Sequence, residues 1–483
     1  MIVVQSGVVA GIEGFPIDVE VDVRPGLPGF EIVGLPSKTV RESRERVRSA
    51  LRNSGFKFPA QKVIVNLAPA HYPKDGALFD LPIALGILAH QAVLPVHVFK
   101  DAIFAGELSL SGRLKRVNGV LSLAELAAQR GCKIVLPEDN QAEAALIAGD
   151  HYLLSASLHD LLAVLTGRRE PPPQLSRAPL AGKVFRAREI KGQAQAKRAL
   201  EIAAHGRHHI MLLGPPGVGK TLLASNARYL LPPPAQDEIL MINKIYEAAN
   251  LLSSHASPLT ERPFRTPHHS ISQAALVGSK NGRPGEITLA HLGVLLLDEF
   301  PEFNQGALQG LREPLDGKQV QISRAEHVLT YPANFWLIAT ANPCPCGYLG
   351  SQVRTCTCTG RDLHRYRRKL RGPLLDRFEV FTYLSPVSER ELGQKNVPWP
   401  PAHNQGTKGQ ERPEAIPILD ISTEALDFLN RAQGRLELSV RGFENTRRLA
   451  KTIAHFDGAS EVSQAHMGEA LQYRLESYND VFV

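Results

Sequence analysis

The chain has 483 residues, of which 43% are hydrophobic and 21% charged, with a formal net charge of +7. That length calls for roughly two to four domains rather than one core. No apolar run approaches the length of a membrane-spanning helix, and five cysteines in so long a chain exclude a disulfide scaffold. The mildly basic balance permits an anionic partner without requiring one.

In chain order, the opening stretch MIVVQSGVVAGIEGFPIDVE lacks a basic start and carries Glu13 and Asp18, which argues against a signal peptide and for the cytoplasm. FPIDVEVDV and KVIVNLAP read as strands. SKTVRESRERVRSALRNSG has helical periodicity, with Gly55 suited to a C-terminal cap. Two proline-rich stretches, Pro171 to Gly182 and Asn396 to Pro417, support neither helix nor strand and read as linkers. Between them HIMLLG, GVLLLDEF and NFWLIATAN alternate with helical patterns, as in a parallel α/β sheet. The segment from Ile421 onward reads as helices. The expected organisation is a first α+β domain over 1–166, a linker over 167–188, an α/β core over 189–390, a second linker over 391–418 and a helical domain over 419–483.

The most informative stretch is HHIMLLGPPGVGKTLLA. Gly214, Gly219, Lys220 and Thr221 give the G-x-x-x-x-G-K-T pattern between an apolar strand and a helix. The loop Gly214, Pro215, Pro216, Gly217, Val218 and Gly219 can wrap phosphates with the backbone N–H groups of its non-proline residues, Lys220 reaches the β and γ oxygens of ATP, and Thr221 ligates Mg²⁺. Farther on, GVLLLDEF delivers Asp298 and Glu299 at a strand end: a metal-positioning carboxylate and a base for water. NFWLIATAN ends at Asn342, placed to hold the attacking water or sense the γ-phosphate. Together these features read as an ATPase.

Cys344, Cys346, Cys356 and Cys358 form two Cys-x-Cys pairs in a single insertion. Four thiolates suit tetrahedral Zn²⁺, although one residue between ligands is tighter than the usual two to four. A reduced thiol cluster, or disulfides formed on oxidation, are the alternatives. The basic run that follows, from Arg361 to Arg371, is either a solvated helix face or a nucleic-acid contact.

The segments EIKGQAQAKRALEIAAHGRHHIMLLGPPGVGKT, RPFRTPHHSISQAALVGSKNGRPGEITLAHLGVLLLDEFPEF, ISRAEHVLTYPANFWLIATANPCPCGY and RYRRKLRGPLLDRFEV resemble the magnesium-chelatase-like AAA+ ATPases, in particular the competence-protein branch. The resemblance implies a cytoplasmic ring, a homo-hexamer, with ATP at subunit interfaces and DNA as partner during natural transformation. It identifies Arg377 in GPLLDRF with the arginine finger and Arg448 in ENTRRLAKTIA with the lid arginine called sensor 2. It makes GSKNGRPGEITLAH and GKQVQISRAEHVLTYP the hairpins that face the channel, so Lys280, Arg283, Lys318 and Arg324 are expected to meet the DNA backbone. It also favours zinc at the four cysteines.

The first domain is similar to the Lon-type proteolytic domain, of ribosomal S5 domain 2-like fold, in PKDGALFDLPIALGILAH and GELSLSGRLKRVNGVLSLAELAAQRGCKIVLP. That enzyme uses a Ser-Lys dyad. Leu78 stands at the serine position and Leu121 at the lysine position, so the domain is expected to be proteolytically inactive, with Ser109, Ser111 and Ser122 nearby but off the motif. A DNA helicase or branch-migration motor is therefore expected. A chelatase-like role in metal insertion or protein remodelling is the alternative.

Overall fold

Alternation in EGFPIDVEVDVR builds the strand Glu13–Arg24, which turns Ile17, Val19, Val21 and Val23 into the core. It pairs antiparallel with Ile2–Ala10 and Lys62–Ala68, and Gly29–Val33 adds in parallel at the edge, giving a four-stranded sheet. The helix Lys38–Asn53 starts where the Ser37 hydroxyl accepts the Val40 N–H and is followed by Gly55 at φ 86°, the C-terminal end expected from sequence. Its Val40, Val47, Ala50 and Leu51 are buried. The helix Asp80–His90 is apolar around most of its circumference and is buried from Asp80 to Ala89, as such a helix must be. A second, parallel sheet joins Ala102–Phe104, Lys133–Pro137 and Tyr152–Ser155.

The computed structural model describes residues 1–147, 151–173, 190–252, 258–324, 327–350, 354–369, 374–388, 391, 399–400, 419–436 and 438–474, with the backbone alone at Arg324 and His327. Both proline-rich segments fall largely outside these residues. No helix among them is long and apolar enough to cross a membrane.

The chain forms two compact units: Met1–Ala181 with Gln236–Thr260, and Gly182–Ala235 with Glu261–Val483. Sequence order placed residues 236–260 within the α/β core and the C-terminal helices apart from it. Instead, the helix Gln236–Ala248 belongs to the first unit, because its apolar face is satisfied there. Ile239 packs with Leu121 and Leu146, so the leucine at the lysine position is buried under this helix. Leu78 is also buried, in the main core of the unit. The nearby serines are occupied: Ser122 donates to the Ile12 carbonyl at 2.8 Å, while the Ser109 and Ser111 hydroxyls bond each other at 3.0 Å.

Glu247, near the end of that helix, accepts the Val120 N–H at 2.9 Å and the Leu121 N–H at 3.3 Å. The helix Val120–Gln129 begins after Gly119, which has no side chain to cap it, so Glu247 supplies the cap from far along the chain. Burial nevertheless outweighs these donors and pushes the Glu247 carboxyl up to about 7 from an ordinary 4.5. The folded carboxyl thus binds its proton more tightly than the unfolded one, and ionising it costs stability as the pH climbs between those two values, by about 3 kcal/mol in the limit. Urea midpoints of the protein are therefore expected to fall between about pH 5 and about pH 8. Glu247→Gln is expected to flatten that slope, and an unchanged slope would show that Glu247 does not set it.

In the second unit all neighbours in the main sheet are parallel, in the order Phe264–Arg265, Val294–Leu297, Trp336–Ala341, Ile210–Leu213, Val380–Tyr383. The strand Ile210–Leu213 comes first in the chain yet lies between the last two. Chain direction across the sheet therefore reverses beside it, and a crevice opens at the carboxyl ends of the strands. The helices Thr423–Leu436, Val440–Phe456 and Gln464–Gln472 contribute to the same hydrophobic core as this sheet.

Candidate nucleotide site

The strand Ile210–Leu213 is apolar and fully buried, and it ends at the glycine-rich loop that leads into the helix Lys220–Ala227. Gly219 caps that helix at φ 92°, a conformation that a side chain would strain. The loop therefore presents its N–H groups at a helix N-terminus, where phosphate is favoured.

Register then brings the other residues to the same edge. Leu213 lies opposite Ala341, and Leu297 opposite Ala339, so Asp298 and Asn342 emerge beside the loop. Lys220 Nζ donates to the carbonyls of Gly214 at 2.7 Å and Pro215 at 2.8 Å and to Asn342 Oδ1 at 3.0 Å. The Thr221 hydroxyl lies 3.1 and 3.0 Å from the two carboxylate oxygens of Asp298. A hydroxyl and a carboxylate facing each other so closely fit a hard cation such as Mg²⁺, which takes oxygen ligands. Burial pushes the Lys220 amine down to about 8, with Asp298 and Glu299 pulling the other way.

Several partners in this constellation were not evident from sequence. Thr340 donates to Asp298 Oδ1 at 2.6 Å and accepts the Glu299 N–H at 3.0 Å, fixing both carboxylate residues. Glu299 has φ 56°, unusual for a side chain of its size, and turns the chain into a short 3-10 segment, Phe300–Glu302. His269 Nδ1 stands 3.9 Å from Glu299 Oε2. This histidine lies in the segment beginning RPFRTPHHSIS that carried the resemblance, but sequence alone assigned it no role.

Arg377 and Arg448 are not part of this cluster. Arg377 closes the turn Leu375–Arg377 ahead of the strand Val380–Tyr383, and its guanidinium pairs with Asp316, which also accepts Arg441 at 2.9 Å. Arg448 pairs with Glu379. Since Val380 lies opposite Ile210, Glu379 sits at the amino edge of the sheet, roughly 15 Å of strand away from the phosphate loop. The buried Glu379 also contacts His208 Nδ1 at 3.0 Å and the His209 N–H at 3.1 Å, and burial pushes both imidazoles down to about 3, so they are neutral near pH 7. The unit thus carries a phosphate-binding edge and an arginine edge on opposite sides of one sheet.

The two expected hairpins pack together. The turn between Gly278 and Pro284 exposes Lys280 and Arg283, and the Tyr331 hydroxyl of the hairpin Gln319–Arg324/His327–Pro332 donates to the Gly282 carbonyl at 2.6 Å. Lys318 is exposed but lies at the base of the second hairpin, whereas Arg324 is at its far end, where only the backbone is described.

The four cysteines converge. Sγ atoms of Cys344 and Cys346 are 3.4 Å apart, Cys344 and Cys356 3.7 Å, and Cys346 and Cys356 3.5 Å. All four sulfurs lie within 4.8 Å of one another. These separations are far longer than a disulfide. They approach the roughly 3.8 Å edge of a ZnS₄ tetrahedron with 2.3 Å bonds. Although burial pulls upward, N–H donors of Tyr348 and Thr357 hold the Cys346 thiol down at about 5. Gly347, at φ 83°, brings the cluster against the phosphate loop, because a Cβ there would meet Pro216 Cδ at 2.6 Å.

Comparison with known proteins agrees with this geometry. Family models of the magnesium chelatase subunit ChlI match residues 186–392 and 19–140, and one of its C-terminal region matches residues 394–474. The chain is 39% identical to the uncharacterized protein YifB of Escherichia coli, covering 98% of this chain and 96% of that protein. It is 38% identical to the competence protein ComM of Haemophilus influenzae, over 98% and 97% respectively. A shorter stretch, 28% of this chain and 28% of the relative, is 28% identical to Lon protease 2 of Bacillus subtilis. Near-full-length identity of this order, with a phosphate loop and its carboxylates on one sheet edge, places the chain in the magnesium-chelatase-like family of AAA+ ATPases, in the branch of YifB and ComM.

Proposed function

We propose that the protein is an ATP-driven motor on DNA that works as a ring, a homo-hexamer, and supports helicase or branch-migration chemistry during integration of transforming DNA. The observation that carries this reading is the split of the site across the sheet. Lys220, Thr221, Asp298 and Asn342 meet at one edge, while Arg377 and Arg448 wait at the other. A site divided in this way is completed by a neighbouring subunit, and head-to-tail contacts that close give rings. In the assembled site the loop and Lys220 hold the phosphates, and Thr221 with Asp298 holds Mg²⁺. Glu299 accepts the proton of the attacking water and Asn342 orients that water. The neighbour's Arg377, with Arg448 as the lid arginine, stabilises charge on the transferring phosphoryl group.

DNA as the partner is supported by the exposed Lys280 and Arg283 on packed hairpins and by the name of the competence relative. On this reading the first unit is an inactive relative of the Lon domain, retained for assembly or DNA contact. Its two leucines at the dyad positions are core residues. Steady-state ATP hydrolysis is expected to rise several-fold with single-stranded or forked DNA. Activity indifferent to DNA would move the assignment to protein remodelling of the chelatase kind, which the family models over residues 186–392 also accommodate.

Zn²⁺ is the metal that fits the four-sulfur group, held by Cys344, Cys346, Cys356 and Cys358 in a structural role, with no open position for chemistry. Metal analysis of the purified protein is expected to find about one zinc per chain, lost in Cys356→Ser together with part of the thermal stability. Absence of zinc, with melting unaffected by chelator, would overturn the assignment.

A further inference from the structure

The helix Gly360–Lys369 follows the last cysteine pair and is held to the unit by one buried side chain, Tyr366. Its outer face presents Arg361, His364, Arg365 and Arg368, all exposed, at the i, i+3, i+4, i+7 spacing of a single stripe. Arg365 is partly neutralised by Asp362 at 3.1 Å, and Lys369 stands 3.8 Å from Glu302. Arg361 and Arg368 have no acidic partner among the described residues. A solvated helix gains little from such a run of like charge, since like charges one turn apart repel. The stripe gains from a polyanion, and guanidinium groups grip phosphate bidentately.

A second observation narrows the polyanion. On the cysteine loop Arg354 lies over the Tyr348 ring, 4.9 Å from its centroid, with Arg354 exposed and Tyr348 half-buried. An exposed guanidinium lying over an aromatic ring offers its own outer plane to an unpaired base next to its phosphate, which an acidic polypeptide lacks. A third observation links this surface to the nucleotide site. The Tyr366 hydroxyl donates to the carbonyl of Asn342 at 3.0 Å, and Asn342 touches Lys220 through its side chain.

We propose that the cysteine loop and the basic helix form a single-stranded DNA-binding element, separate from the two hairpins, whose grip reaches the nucleotide site through the Tyr366 to Asn342 hydrogen bond. The proposal rests on the reading of the chain as a DNA motor, and binding and turnover measured separately distinguish its failure from the failure of that reading. Phosphates on Arg361 and Arg368 draw the helix outward or along its axis, and Tyr366 passes the displacement to the strand end that carries Asn342. The hairpins move DNA, and this element reports its presence.

The test uses the full chain and a fluorescent single-stranded oligothymidylate, with affinity read by anisotropy over a salt series. Arg361→Glu with Arg368→Glu is expected to weaken binding at least about tenfold and to lower the salt slope by between about one and two units. Both positions are exposed, and zinc content and melting temperature report whether the fold is kept. The double lysine variant, which retains charge, is expected to recover most of the affinity. Tyr366→Phe is expected to keep the affinity while reducing DNA stimulation of ATP hydrolysis. Unchanged affinity and slope in the charge-reversal variant would overturn the binding element, as would polyglutamate displacing the oligonucleotide as efficiently as unlabelled DNA. Full stimulation in Tyr366→Phe would overturn the coupling. Wild-type turnover unaffected by DNA, with binding still dependent on Arg361 and Arg368, would sink the motor reading and the coupling while the binding element stands.

Discussion

Lys220→Ala is expected to lower ATP turnover by roughly two to three orders of magnitude, the scale seen when one preorganised electrostatic group is removed from a reacting centre. Lys220 is the cation at the centre of the carboxyl-edge cluster, and its three acceptors, two loop carbonyls and Asn342 Oδ1, are the kind of oxygen that phosphate would replace. Among the described residues no other lysine or arginine hydrogen-bonds into that cluster. Thr221 and Asp298 are occupied with each other, and Arg377 is at the opposite end of the strands. Melting temperature should change little, because the amine is half-buried on its own loop rather than part of the core. The pH dependence supplies a second check. With the amine held down near 8, the free protein loses this charge as the pH passes that value, so kcat/KM should fall on the alkaline side. Bound phosphates favour the charged form, so kcat at saturating ATP should hold to higher pH. A variant with wild-type kcat/KM would remove Lys220 from the chemistry.

What could be read from sequence follows the physics of each feature. The phosphate loop was legible because its demands are local: glycine where φ is positive, a lysine and a hydroxyl at the helix start, an apolar strand before it. Asp298 and Asn342 were legible for a related reason, since each follows a buried run of strand residues that ends at the crevice. The four cysteines were visible as a group, and the 3.4 to 3.7 Å sulfur separations show that pairs with one intervening residue can bring their sulfurs together. Glu379, by contrast, is an ordinary glutamate in sequence. It acquires meaning only when folding brings His208 and Arg448 to it from positions 171 residues before and 69 after. The same applies to Asp316, which joins Arg377 and Arg441. The helix Gln236–Ala248 shows the limit most clearly. Its apolar pattern announces a buried face, but no local rule tells which core will bury it, and proximity in sequence pointed to the other unit.

Arg377→Ala is expected to lower kcat by roughly a thousandfold or more, the range associated with an arginine supplied to a phosphoryl-transfer site, with KM for ATP changing far less. The split between constants follows from position, since Arg377 lies at the amino edge, away from the groups that hold nucleotide in its own chain. Asp316 tethers it there. Against the opposing effect of burial, hydrogen bonds from Arg377 and Arg441 hold the Asp316 carboxyl below the usual carboxylate range, so it remains an anion and holds the Arg377 guanidinium in place at neutral pH. The decisive measurement mixes two inactive proteins. In an assembly of Arg377→Ala and Lys220→Ala subunits, some interfaces join the intact phosphate loop of the first to the intact arginine of the second. At equal mixing that is roughly a quarter of the interfaces in a closed ring. If Arg377 acts on a neighbour, activity returns towards that fraction. If it acts on its own chain, every site in the mixture lacks one essential group and activity stays at the level of the parents.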